Sequence, residues 1–336
     1  MRIRVCVNGN LHNVHLVVVP FFDRHTAENT VKLITTLLET VCAPWQDKII
    51  SITTDGENTN TGWRNGFVAR LNRMATHQLM RVWCAPHQGV IVIRAATNEM
   101  DNGAFYKTAH AFSVHLRQQQ ELILEMQVQF PRDTNRWMYF ERILSFMLKH
   151  RRRLEQWIEE KRPVSAPSPT WWVMCASAQP LAELFNTTMT ILQSHDMILC
   201  QQMAEIKSLI GHLVTAMDVE ADGNPPDDLC YVRGQYWIQT QSVREHIYDQ
   251  GSWARDLFNS LSAEDQLHVL HEVGQYTLQL ICGWSDVQAE RDERNNAGSI
   301  APPVLPAQLV KLRTGTIAGA YTHGAASAQR KTFLCL

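Results

Sequence analysis

No Cys-x-x-Cys pair, no surplus of either charge and no long apolar run occurs in this chain of 336 residues. Its eight cysteines (6, 42, 84, 175, 200, 230, 282 and 335) are scattered, which argues against a disulfide framework and against a four-ligand zinc finger. A reducing, intracellular compartment is expected. The formal net charge is −2, so any nucleic-acid contact must come from a local basic patch rather than from the whole molecule. No apolar stretch approaches the roughly 20 residues that span a bilayer, and no membrane partner is expected. The short apolar run 16–22 is interrupted by Pro20 and follows Asn and His, unlike a secretory leader. No internal repeat is found. Hydrophobic residues make up 45% and charged residues 19%, a composition that folds rather than staying disordered.

A chain of this length buries one large core or two modest ones, and its character changes near residue 86. Before that point strands and short helices alternate. Residues 2–7 alternate apolar and polar, Asn8-Gly9-Asn10 is a hairpin turn signal, and 14–19 read as the returning strand. Thr26 is the expected N-cap of a helix whose apolar stripe is Val31, Ile34, Leu37, Leu38 and Val41, and Ala43-Pro44 ends it. Ile49-Ile50-Ser51-Ile52 fits a strand buried on both faces, running out into Thr53-Thr54-Asp55-Gly56. A polar turn with Asn58, Asn60 and Gly62 leads to a helix carrying Phe67, Val68 and Leu71. A second strand, Met80-Arg81-Val82-Trp83, then delivers Cys84-Ala85-Pro86-His87. The order is that of a mixed α/β fold.

After residue 86 the periodicity is helical, over 87–128, 137–161, 179–217 and 263–294. The Pro-rich stretch 163–169 is a stiff joint, and Trp171-Trp172 after it read as packing anchors. Residues 218–228 hold five acids and no Lys or Arg, which predicts a solvated loop. Beyond 295 the sequence turns small and polar, and 315–327 offer nothing large to pack.

Several residues are of a type that carries chemistry, and each has a plain structural reading as well. Asp55, at a strand's C-terminal end, is either a turn residue or a metal ligand. Cys84 and His87 are either a buried thiol with a helix-capping imidazole or half of a functional pair. Arg136 and Trp137 open a helix, where Trp137 serves packing or contact with a ligand. Lys149, Arg151, Arg152 and Arg153 form a basic run within a segment, 132–162, that holds nine Lys or Arg against five acids. Such a run is a solvated helix face or a phosphate-binding patch.

Taken in order, the strand ending in Thr-Asp-Gly, the helix and the strand entering Cys-x-x-His resemble the ribonuclease H-like core of hAT-superfamily DNA transposases. The pattern of that family is T-D-G/N-x-x-x-M-x-G, a helix, and a strand running into C-x-x-H. Asp133-Thr134-Asn135-Arg136-Trp137 is similar to the T-R-W element that opens the family's helical insertion, with Asn135 in place of Arg or Thr. The resemblance extends in order over roughly residues 1–310, with motifs between Asp55 and Trp137.

It implies a partial ribonuclease H-like α/β core over 1–130, an all-α insertion over 131–294 and a Pro-containing, poorly ordered tail over 295–336. It also implies metal-dependent DNA cleavage and strand transfer in active relatives, with Mg2+ or Mn2+. Asp55 would match the second of three catalytic acids, Cys84 and His87 the accessory motif, and Arg136 with Trp137 the DNA-proximal element. The first strand, with its acid, would lie upstream of Met1, and the third acid past Pro302. Neither is in this sequence, so Asp55 is expected to be vestigial and no tightly bound ion is expected. In the family the first strand is central, flanked by the second and fourth, and each backbone group left buried without it costs about 1–3 kcal/mol. The 2–19 hairpin is therefore expected to slide against 49–52, or the α/β part to be marginal. The strands 49–52 and 80–83 are expected to pair directly and in parallel, with Asp55, Cys84 and His87 at one edge.

The function implied is that of a degenerate or domesticated transposase. It would be catalytically inactive, nuclear, and bind DNA or protein, as a homo-oligomer or with a full-length transposase. One alternative is a nuclease completed by residues or subunits outside this chain. Another is a helical interaction scaffold unrelated to DNA.

Overall fold

In a computed structural model the described residues are 2–7, 10–18, 20–62, 64–132, 138–194, 197, 199–221, 223, 225, 229–296 and 333–335. The chain divides into two compact units. One comprises Met1–Gln88, Ser194–Gln202 and Ala289–Leu336, and the other Gly89–Gln193 and Met203–Gln288. The division at Gln88 coincides with the change of sequence character, and the expected boundary at residue 130 falls inside the second unit.

The first unit is α/β. Its elements are β1 (Arg2–Val7), β2 (Asn10–His15), α1 (Ala27–Val41), α2 (Trp45–Lys48), β3 (Ile49–Thr54), α3 (Asn58–Thr61), α4 (Phe67–Met74) and β4 (Met80–Trp83), with β8 (Phe333–Cys335) joining from afar. The sheet order is β2-β1-β8-β3-β4. Strands β1 and β2 form an antiparallel hairpin from Arg2↔His15 to Val7↔Asn10, so the returning strand starts directly after the turn rather than at residue 14. Strands β3 and β4 pair in parallel, as expected, from Ser51↔Met80 to Thr54↔Trp83.

The hairpin has not slid against β3. Instead β8 lies between them, antiparallel to β1 through Arg4↔Cys335, Val5↔Leu334 and Cys6↔Phe333, and parallel to β3 through Ile49↔Leu334 and Ser51↔Cys335. Residues 333–335, in the tail expected to be poorly ordered, form this strand, while 315–327 lie outside the described residues. Each ladder bond contributes about 0.5–1.5 kcal/mol net. Fixing three backbone residues costs roughly 1–2 kcal/mol apiece, so the pairing of β8 is close to balanced by its own ordering.

Under this sheet, Ile3, Ile49 and Ile52 pack with Val31 and Leu38 of α1, Trp45, and Phe67, Val68 and Leu71 of α4. Thr26 caps α1 as expected, its Oγ1 accepting from the Asn29 amide at 3.2 Å. The stripe ends a turn early, since Val41 is exposed.

The second unit contains α5 (Ala85–Glu99), α6 (Ala104–Leu116), α7 (Gln120–Met126), α8 (Met138–Lys149), α9 (Arg151–Lys161), α10 (Pro169–Leu192), α11 (Leu199–Met217), α12 (Thr240–Asp249), α13 (Ser252–Ser260) and α14 (Ala263–Asn296), a few of whose end turns belong to the first unit. The central helix is α10, capped by Ser168, which accepts from the Trp171 amide at 3.1 Å. Trp171 and Trp172 are buried, and the Trp171 indole donates to the Phe105 carbonyl at 2.9 Å, so the pair are anchors of packing.

The insertion is not all-α. Strands β5 (Glu220–Ala221), β6 (Cys230–Arg233) and β7 (Tyr236–Gln239) form a small antiparallel sheet in the order β5-β7-β6. Part of the acid-rich stretch taken for a loop is therefore its edge strand. The β6–β7 connection is Gly234-Gln235, with Gly234 at φ +58°, the left-handed backbone that a two-residue hairpin turn requires.

Candidate functional site

The edge of the first sheet formed by the ends of β3 and β4 collects three of the residues singled out in the sequence. The apolar side chains of Ile49 and Ile52 bury β3, and the parallel ladder continues one step past the strands. There the Cys84 amide donates to the Thr54 carbonyl at 2.9 Å. Asp55 and Cys84 consequently leave the sheet side by side. The Cys84 carbonyl accepts from the Gln88 amide at 3.1 Å, which makes Cys84 the residue that opens α5 and places His87 in its first turn. Cys84 is a free thiol, and it, Asp55 and His87 are all half-buried.

The environment of Asp55 is that of a turn organiser. Its Oδ1 accepts from the Asn60 side-chain amide at 2.7 Å and from the Glu57 backbone amide at 3.3 Å. Next to it the loop closes tightly: a β-carbon on Gly66 would lie 2.5 Å from the backbone of Gly62. Only glycine allows that approach. Asn60 was missed as a partner of Asp55, although an Asx turn five residues before an Asn is visible in the sequence. Thr54, at the same strand end, keeps a buried hydroxyl with no hydrogen-bond partner.

These residues do not fit a two-ion centre. Beside Asp55 the turn supplies only Glu57, which is exposed, and one oxygen of Asp55 already holds two donors. Among the described residues no group of three or more His, Cys, Asp or Glu side chains is arranged to hold a metal ion.

The basic run is divided by the fold. Helix α8 ends at Lys149 and α9 begins at Arg151. His150 between them is non-helical (φ −105°, ψ 10°), so the single helix expected over 137–161 is two. Arg153 donates two hydrogen bonds to the Glu125 carboxylate, at 2.5 and 2.7 Å, and lies 3.7 Å from Glu160. The hydrogen bond from Arg153 lowers the pKa of Glu125 and raises that of Arg153. The Arg151 guanidinium sits 4.4 Å from the centre of the Trp253 ring. Burial raises the pKa of Glu155 in the same cluster, opposed by the charge of Arg151 and a hydrogen bond from Trp253. Lys149 and Arg152 remain exposed. The sequence treated the run as one patch; in the structure two of its arginines are committed to the protein and two cations face solvent. Arg136 and Trp137 lie outside the described residues.

No helix among the described residues is long and apolar enough to cross a membrane. No family model, curated protein or solved structure matches this chain.

Proposed function

We propose that this chain is a hAT transposase-derived, nuclear protein that binds DNA without cleaving it. The observation that carries the reading is the parallel β3–β4 pair, with Asp55 leaving one strand beside Cys84 and His87 leaving the other. The sheet order supports it too. The resemblance requires a central strand between the second and the fourth, and here β8 takes a central place between β1 and β3. On this reading the sheet is ribonuclease H-like, and Asp55 is a retained position whose carboxylate now braces a turn.

DNA contact is assigned to the start of α9 and the end of α8. Arg151, Arg152 and Arg153 occupy the first turn of α9, where no acid is present and the helix dipole is already positive. Cations there are unfavourable without an anion: Arg153 is already paired with Glu125 and Glu160, and phosphate would supply one for the exposed Arg152. The exposed Lys149 and Arg152 are the contact residues, and Arg151 and Arg153 hold the turn in place.

A second reading, a helical scaffold with no nucleic-acid role, is favoured by the internal pairing of Arg151 and Arg153. A nicking assay on supercoiled plasmid with Mg2+ or Mn2+, read together with retention of the plasmid at low salt, separates the readings. The expected result is retention without nicks. Metal-dependent cleavage abolished by Asp55→Ala would restore the nuclease alternative, in which outside residues or subunits complete the site, and absence of retention would leave the scaffold.

A further inference from the structure

We propose that α7 is an autoinhibitory strap on the phosphate-binding turn: the Glu125 carboxylate occupies Arg153, and DNA must displace it before Arg153 joins Lys149 and Arg152 as a third contact. The inference rests on the DNA-binding reading and deepens it by naming what regulates that site. The geometry of the pair is the first support. Arg153 follows the exposed Arg152 in the first turn of α9. Its Nε and Nη2 donate to the two oxygens of Glu125 at 2.5 and 2.7 Å, so the guanidinium edge that a phosphate would engage is filled by two parallel hydrogen bonds. Glu160, two turns further along α9, approaches Nη1 at 3.7 Å, beyond hydrogen-bond length, and leaves that edge to Glu125. The carboxylate stands where a phosphate would stand, with the same sign of charge.

Second, α7 is lightly anchored. Leu122 is the one buried residue of its seven, and Leu124 is 73% exposed. A helix of that length does not hold in water by itself. It ends on Gln127 at φ +51°, a left-handed backbone that residues other than glycine seldom adopt. Glu121 and Glu125, four residues apart, share the face turned to α9, since Glu121 lies 3.9 Å from Lys161. The acids of α7 thus run along cations of α9, and these ion pairs are a large part of what holds the strap down.

Third, the pair is open enough to exchange. The side chains of Arg153 and Glu125 are 26% and 53% exposed. An ion pair in contact with water shifts an equilibrium by about fivefold at most. A phosphate contact on duplex DNA also releases condensed counterions, so at low salt phosphate can take the place of Glu125. Glu125 therefore weakens binding without abolishing it, and its removal should leave Arg153 free to engage DNA.

The test is a double-mutant cycle on the full chain. Glu125→Gln keeps the shape of the side chain and removes its charge. Affinity for duplex DNA is measured over a salt series for the native chain, Glu125→Gln, Arg153→Ala and the double variant. The expected result is that Glu125→Gln binds about two- to fivefold tighter at low salt, with a log–log slope steeper by about 0.9 for the added phosphate contact. Both gains should vanish when Arg153 is alanine. A native chain that binds DNA with the same affinity and slope as Glu125→Gln would overturn the strap and leave the DNA-binding reading standing. Tighter binding that persists in the Arg153→Ala background would also overturn it, because the effect would then be one of overall charge. No binding by any of the four proteins at low salt would remove the DNA-binding reading, and the strap with it.

Discussion

Replacing Gly283 by alanine puts a β-carbon 2.7 and 3.0 Å from the two γ-carbons of Val92, closer than packed carbons approach. Gly283 is in α14 and Val92 in α5, and both belong to the helical unit. Two effects oppose each other. Alanine improves helix propensity by about 0.8–1 kcal/mol, while overpacking a filled core costs roughly 1–3 kcal/mol. Val92 is buried and β-branched, so it has no second rotamer into which to retreat, and the clash should win by about 1 kcal/mol. Val92→Ala removes both offending methyls and on its own costs about 2 kcal/mol through lost burial and a cavity. Combined, the two substitutions should cost less than their sum, by about 1–2 kcal/mol, because each relieves the other. The assay is the urea midpoint of the native chain, both single variants and the double variant, followed by far-ultraviolet circular dichroism. Additive midpoints, or a stabilised Gly283→Ala, would refute the close approach of α5 and α14. The same geometry is repeated where Gly89 meets Met189 and Trp284.

Two other outcomes follow from named contacts. Asp55→Ala removes the acceptor shared by Asn60 and the Glu57 amide, and should cost about 0.5–2 kcal/mol in unfolding experiments while leaving DNA affinity unchanged. His246 is buried with Nε2 donating to the Ser177 carbonyl at 2.9 Å, and burial lowers its pKa below the ordinary 6.5. The unfolded chain then takes up a proton that the folded chain resists. The contribution of His246 to stability is complete above pH 6.5 and is lost as pH falls toward the lowered folded value. The urea midpoint should drop as pH is lowered through the ordinary 6.5 of the unfolded chain, and His246→Gln should flatten that dependence.

Local physics decided what could be read from the sequence. The run Ile49-Ile50-Ser51-Ile52 and the strand entering Cys84 announce themselves by apolar continuity, and their parallel pairing places Asp55, Cys84 and His87 at one edge. Thr26 was legible as a cap because capping is a matter of neighbouring residues. The sheet of the helical unit was missed although Tyr231, Gly234, Tyr236 and Trp237 carry a hairpin signal, because its edge strand is two residues of an acid-rich stretch. Strand β8 has no local signal at all: three residues acquire meaning only from a place made by β1 and β3. The partners of the arginine run, Glu125 and Trp253, come from other helices, and no spacing rule along α9 points to them.

The central claim is that Lys149 and Arg152 bring this chain onto DNA phosphates, and the most direct measurement is the affinity for duplex DNA across a series of salt concentrations. The native chain and a Lys149→Ala/Arg152→Ala variant are compared on two unrelated sequences. The prediction is log-linear weakening with salt for the native chain, and a variant that binds more weakly on both sequences. With about 0.9 unit of slope per phosphate contact on duplex DNA, the loss of two contacts should flatten the variant's slope by about 1.8. Equal affinities and slopes for the two proteins, or no binding by the native chain at low salt, would contradict the claim.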